Sequence, residues 1–72
     1  MVPTSTTPTI DDLKAQIKRL TSKAGQMKMD LHDLAEGLPT DYERLIEAAT
    51  ETYAVYRQID DLKQQLKQLE AN

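Results

Sequence analysis

The chain of 72 residues has no cysteine, only two glycines and no long hydrophobic run. Without cysteine, neither a disulfide nor a thiolate metal site can form, which fits a cytoplasmic location. The glycines, Gly25 and Gly37, stand alone and cannot build a Gly-rich phosphate loop. Because no apolar run exceeds a few residues, the sequence predicts neither a signal peptide nor a membrane span.

The chain also lacks an excess of basic charge and a set of catalytic residues. Its formal net charge is −3, which disfavours nucleic-acid binding because phosphate contacts need concentrated lysine and arginine. The serines and threonines cluster in the N-terminal tail and at helix caps, so no nucleophile with its base can be assembled. We therefore expect no enzyme activity and no cofactor.

What the sequence does contain is a pair of hydrophobic ladders with alternating steps of three and four residues, the spacing that keeps one side of a helix against a partner helix. The first ladder is Ile10, Leu13, Ile17, Leu20, Ala24, Met27, Leu31 and Leu34, and the second is Leu45, Ala48, Thr52, Val55, Ile59, Leu62, Leu66 and Leu69. Paired antiparallel, every layer has residue numbers that sum to 79. The ladders predict an all-α, coiled-coil-like antiparallel two-helix hairpin.

The ends of the helices are marked by capping and turn residues. Residues 1–8, rich in proline, serine and threonine, are expected to be a disordered tail before a hairpin over 9–72. Thr9 is a candidate N-cap with acidic residues in the first turn, so helix 1 should cover about 10–36. Gly37 should supply a left-handed C-cap, followed by a turn over 37–41. Thr40 or Asp41 should then cap helix 2, over about 42–70.

A second pattern breaks the expected charged exterior in the half of each helix near the turn. Two further stripes have helical spacing and lie outside the ladders; they are Ser22, Gly25, Met29 and His32 on helix 1, and Tyr42, Ile46, Ala49, Tyr53 and Tyr56 on helix 2. A glycine inside a helix costs about 1 kcal/mol relative to alanine, so Gly25 is either a tolerated defect or a point of close approach. We expect two hairpins to overlap through these halves and form a four-helix segment.

The ladder itself is thin near its middle. Leu31 should face Ala48, Met27 should face Thr52, and Ala24 should face Val55. Small residues at such layers either alternate with large ones to fill the core or leave room for a neighbour's side chain.

His32 is the only histidine, and Glu36 follows it by one helical turn. Such a pair can chelate a divalent cation, but a protein site normally needs three or four ligands. The alternatives are a surface histidine in a partner contact and a metal or small-ligand site completed by a two-fold-related copy. A further alternative is RNA binding, because a dimeric hairpin of this length resembles the plasmid regulator Rop; that resemblance is of architecture only.

A more specific resemblance lies in residues 24–42, which read AGQMKMDLHDLAEGLPTDY. This block resembles a family of small proteins found in nitrogen-fixation gene clusters and usually labelled NifX-associated proteins. The likeness extends more loosely over residues 9–70. It implies a hairpin that associates through part of its length, a nitrogen-fixing prokaryote, and a role as accessory to nitrogenase or to assembly of its metal cofactor. It implies no biochemical activity.

These observations lead to one main hypothesis, a non-enzymatic homodimer that binds a nitrogenase component or a cofactor-assembly factor. Large apolar and aromatic side chains dominate protein interfaces. The expected anchors are therefore Met29, His32, Leu38, Tyr42 and Tyr53.

Overall fold

The computed structural model describes residues 9–71, which form two long antiparallel helices. Helix α1 spans Ile10–Glu36, a short 3₁₀ helix spans Tyr42–Arg44, and helix α2 spans Leu45–Ala71. There is no strand among these residues. The predicted two-helix hairpin is confirmed, whereas the predicted disordered tail over 1–8 lies outside the described residues.

Helix α1 begins with a reciprocal capping box. The Thr9 side-chain oxygen accepts a hydrogen bond from the Asp12 backbone N–H at 3.0 Å, and the Thr9 N–H donates to Asp12 Oδ2 at 3.2 Å. Two N–H groups that the first turn would leave unpaired are thereby satisfied. The carboxylates of Asp11 and Asp12 also lie at the positive end of the helix dipole.

The end of α1 differs from the predicted left-handed glycine cap. Gly37 is right-handed, with φ −83° and ψ −1°, and its N–H donates to the carbonyls of Asp33 and Leu34. The left-handed residue is Asp41, with φ 59°, and the Leu38–Pro39 peptide bond is cis. The chain closes α1 with a right-handed Gly37, and the one left-handed residue among residues 9–71 comes four positions later, where an aspartate tolerates it.

The start of α2 also differs from the prediction. Asp41 makes no side-chain capping bond, and Tyr42–Arg44 form the 3₁₀ turn rather than the first turn of an α-helix. The Arg44 N–H donates to the Asp41 carbonyl at 3.0 Å, and α2 starts at Leu45. The reversal of the chain thus occupies residues 37–44, longer than the five-residue turn expected over 37–41.

The core of the hairpin is the seam, defined as the sixteen residues of the two ladders. All sixteen are buried or half-buried, and elsewhere in residues 9–71 only Gln16 and Gly25 are not exposed. Five seam residues are buried; they are Leu13, Ala24, Val55, Ile59 and Leu62. The seam predicted from spacing is confirmed residue by residue.

The best-packed part of the seam lies in the middle of the hairpin. Ala24, Val55 and Ile59 form the central cluster, against which Ile17, Leu20 and Met27 pack. Closer to the turn, Thr52 occupies a seam position, and its hydroxyl donates to the Ala48 carbonyl at 2.8 Å. Because that hydrogen bond stays within the helix, a polar atom is tolerated in the seam without a partner on α1.

Candidate functional site

The large apolar side chains that remain exposed all lie near the turn. Within residues 9–71 they are Met29, Leu38, Tyr42, Ile46, Tyr53 and Tyr56. Ile46 is 82% exposed, Tyr53 63% and Met29 60%. Single exposed apolar residues are normal on a surface, but a group confined to one end of a rod marks an interaction surface.

The two exposed stripes lie on the same side of the hairpin. Lys14 and Glu70, which directly follow seam residues, pair across the helices with Nζ and Oε2 3.8 Å apart. Ala49 and Tyr56 of α2 directly follow seam residues and occupy the same position of the seven-residue repeat as Glu70. They therefore lie on the same side of the hairpin as the Lys14–Glu70 pair. We call this side near the turn the apolar face, consisting of Gly25, Met29, His32, Tyr42, Ile46, Ala49, Tyr53 and Tyr56.

The α1 part of the apolar face contains a shallow crevice and an uncovered glycine. The crevice has a volume of about 260 Å³ and is lined by Lys28, Met29, His32 and Asp33. A Cβ built on Gly25 would meet no atom within 4 Å. No contact within the hairpin therefore requires a glycine there.

His32 points into solvent beside two carboxylates. Its Nδ1 lies 3.8 Å from Asp33 Oδ1, its Nε2 lies 4.0 Å from Glu36 Oε2, and the side chain is 71% exposed. Both distances exceed those of a hydrogen bond. Within the described part of the chain, no three His, Asp or Glu side chains are grouped as a metal site requires.

The opposite side of the hairpin near the turn has a different character. An open groove of about 450 Å³ runs between α1 and α2 there, and we call it the acidic groove. Its floor is formed by the seam residues Met27, Leu31, Leu34, Ala48 and Thr52. Its rim is formed by Asp30, Asp33, Asp41, Arg44 and Glu51.

Charge is distributed unevenly along the hairpin. The turn-proximal half, residues 25–55, has two basic and seven acidic side chains, a formal charge of −5. The other half, residues 9–24 and 56–71, has seven basic and five acidic side chains, a formal charge of +2. The surface near the turn is therefore strongly acidic on a chain whose total charge is only −3.

Sequence reasoning found the apolar stripes but missed the acidic groove. Of the two alternatives for the thin layers, unfilled space is found beside Ala48 and Thr52, where these residues form part of the groove floor. Its rim could have been found from the positions just before seam residues, since Asp30, Arg44 and Glu51 directly precede Leu31, Leu45 and Thr52. These positions face each other across antiparallel helices, as the groove lining bears out.

Comparison with known proteins identifies the family. Residues 8–71 match the Rop-like family. The chain belongs to the Rop-like family. A UPF0437 protein of Nostoc sp. is 67% identical over 61 residues, covering 85% of this chain and 86% of that protein. The crystal structure of a DUF683-family protein from the cyanobacterium Cyanothece 51142 has a TM-score of 0.82 and 59% identity, covering 88% of this chain and 93% of that one.

A third relative of this Rop-like protein has an informative name. A protein of Frankia alni, described as a UPF0437 protein in the nifX-nifW intergenic region, is 48% identical over 44 residues, 61% of this chain and 54% of that protein. The predicted resemblance to a family found in nitrogen-fixation gene clusters is thereby confirmed. In the described residues of this Rop-like chain, neither helix is apolar enough over a sufficient length to cross a bilayer.

Proposed function

We propose that this protein is a non-enzymatic accessory of nitrogen fixation, which binds a nitrogenase component or a cofactor-assembly factor through its turn-proximal surface. The single observation that carries the proposal is the apolar face, where Met29, Ile46 and Tyr53 are each more than half exposed. Side chains of this size cost solvation energy when left in water, and they supply binding energy when a partner covers them.

The assignment to nitrogen fixation rests on the family. The Frankia alni relative is named for its position between nifX and nifW, and the block of residues that resembles the NifX-associated proteins, 24–42, includes Gly25, Met29 and His32. The turn residues in that block are explained by the backbone geometry of the turn. In contrast, no contact within the hairpin requires Met29 or His32 at the surface.

A homodimer is part of the same proposal. Among residues 9–71, a single hairpin buries only five residues, and a chain of this size rarely reaches useful stability with so small a core. Overlap of two apolar faces would add Ile46, Tyr53 and Met29 to a shared core, in the manner of a four-helix bundle. If the outside partner binds the same face, it must displace one copy of the hairpin.

The proposal is tested by affinity capture from extract of nitrogen-fixing cells, with a tag at the N-terminus. We expect a nitrogenase component or an assembly protein to be recovered with the unaltered chain, and to be lost with the double variant Met29→Glu, His32→Ala. Ala15→Glu is the matched control, because it adds the same charge at an exposed position of α1 two heptads from Met29.

Two outcomes would refute the assignment. Recovery of the same protein by the double variant would remove the apolar face from the interaction. If only this chain is recovered, and purified nitrogenase components also fail to bind it, the apolar face serves as a dimer interface only.

A further inference from the structure

The floor of the acidic groove is a strip of seam residues that the hairpin itself does not cover. Its floor consists of seam residues that are only half-buried, because Ala48 and Thr52 are too short to fill the space beside Met27 and Leu31. Apolar surface lying between two helices is where a third helix can insert a side chain. The floor therefore fits one or two apolar side chains of a partner.

The rim of the groove restricts what that partner can be. Four carboxylates surround the floor, from Asp30 and Asp33 on α1, Asp41 in the turn and Glu51 on α2, against the single basic residue Arg44. Among residues 9–71, none of these carboxylates is paired with a lysine or arginine. Asp30 accepts a hydrogen bond from Gln26 Nε2 at 2.9 Å and Asp33 lies 3.8 Å from His32 Nδ1, but no lysine or arginine of residues 9–71 neutralises the four carboxylates. Their negative charge therefore favours an external cation and disfavours an acidic partner.

We propose that the acidic groove binds a basic amphipathic helix of another protein, with its apolar side chains on the groove floor and its lysines or arginines against the rim. The complementarity extends beyond the groove, since the whole turn-proximal half has a charge of −5. A field of one sign over such a surface increases the association rate of an oppositely charged partner. This inference rests on the proposed function only because both assign a protein-binding role to the chain. It adds the chemical nature of the partner and the site on the hairpin where the partner binds.

The location of the groove also removes a conflict between two uses of the apolar face. The rim residues Asp30, Arg44 and Glu51 precede seam residues, whereas Lys14 and Glu70 follow them, so the groove lies across the seam from the Lys14–Glu70 pair. Asp33 alone lines both the groove and the crevice of the apolar face. A dimer formed through the apolar face therefore leaves the floor and the rest of the rim of each groove open. The protein can bind its partner as a dimer, without displacing one copy.

The experiment measures binding of a fluorescein-labelled amphipathic peptide made of leucine and lysine alone, by anisotropy, to the purified full-length chain. The test variant is Asp30→Asn, Asp33→Asn, Glu51→Gln. The matched control is Glu36→Gln, Glu43→Gln, Glu47→Gln, which removes the same charge from the same half but does not line the groove. We expect the test variant to bind about tenfold more weakly, from the loss of three charge pairs, and the control to bind nearly as the unaltered chain.

A second pair of variants separates the groove floor from its charge. Ala48→Leu fills the floor and should weaken binding by a similar factor, whereas Ala15→Leu adds the same volume at an exposed position outside the groove and the apolar face and should not. Binding should also weaken as salt is raised, because exposed charges are screened beyond about 10 Å at 0.1 M ionic strength.

Three results would overturn the inference. Equal losses in the test and control triple variants would mean that the peptide responds to net charge alone. Unchanged binding by Ala48→Leu would remove the groove as the site. Dissociation of the homodimer by the groove variants in sedimentation would make a second copy the occupant. Each of these can occur while affinity capture through Met29 and His32 still succeeds, so the two proposals fail separately.

Discussion

Gly25 is the residue whose role depends most on what lies outside the hairpin. It stands in the middle of α1, where a glycine costs about 1 kcal/mol relative to alanine, and a Cβ at this position would meet nothing within 4 Å. The hairpin alone therefore gives no compensation for that cost. Close approach of another molecule would supply one, since only glycine lets a second helix come so near to the backbone.

Gly25→Ala is expected to raise the free energy of unfolding of the monomer by about 1 kcal/mol and to weaken the dimer. Urea denaturation at low protein concentration measures the first effect, and sedimentation equilibrium the second. Gly37→Ala is the matched control, because Gly37 is right-handed and its added Cβ makes only ordinary contacts at 3.7 Å. If Gly25→Ala leaves the dimer as intact as Gly37→Ala does, Gly25 is a tolerated defect.

At the scale of the elements, the two helices begin in different ways. Helix α1 has a side-chain capping box at Thr9 and Asp12. Helix α2 follows the 3₁₀ turn Tyr42–Arg44, which itself starts from a left-handed Asp41 without a capping bond. The N-terminal turn of α1 is therefore held by side-chain caps, whereas the N-terminal turn of α2 is held by the 3₁₀ turn that precedes it.

Thr9→Ala is expected to lower the free energy of unfolding by about 1 kcal/mol, because the N-terminal turn of α1 loses its cap. Asp12→Ala should cost a similar amount, and the double variant should cost less than the two together, since both residues belong to one motif. Thermal or urea unfolding followed by circular dichroism measures the losses. Thr40→Ala in the turn should change the free energy of unfolding by less than about 0.5 kcal/mol. A loss as large as that of Thr9→Ala would contradict the assignment of Thr9 as the N-cap.

At the scale of the whole molecule, the hairpin consists of two 27-residue helices, each about 40 Å long, with a thin core and an acidic end. Overlap of two turn-proximal halves would bury the exposed tyrosines and Ile46, but it would also bring together two surfaces of charge −5. Overlap along the full length would instead place each acidic half beside a half of charge +2. The two arrangements therefore respond oppositely to salt.

We expect the half-overlapped dimer, so that Met29→Glu and Tyr53→Glu each weaken association about tenfold or more. Added salt should strengthen the dimer, because screening reduces the repulsion between the acidic halves. Sedimentation equilibrium over a range of salt concentrations measures both. Ala15→Glu and Gln68→Glu are the controls, because they add the same charge in the half of the hairpin far from the turn. A dimer that survives both apolar-face variants, or that salt dissociates, would contradict the arrangement.

The sequence alone determined the helices and their pairing. Seam positions follow from a repeat of three and four residues, which depends only on helix geometry, and all sixteen are removed from full exposure in the folded chain. The Thr9 cap and the end of α1 before Pro39 were equally predictable, because both depend on neighbouring residues. The exposed residues Met29, Ile46 and Tyr53 were found as departures from the same repeat.

Only the tertiary structure decided how the chain reverses and what each side of the hairpin presents. Gly37 is right-handed and Asp41 left-handed because the turn must join two helices already fixed in register, a constraint that local preference does not contain. The acidic groove exists because antiparallel packing brings Asp30 of α1, Asp41 of the turn and Glu51 of α2 around one floor. Those residues are separated along the chain, and they share a surface only because the antiparallel register of the two helices brings the positions before the seam residues together.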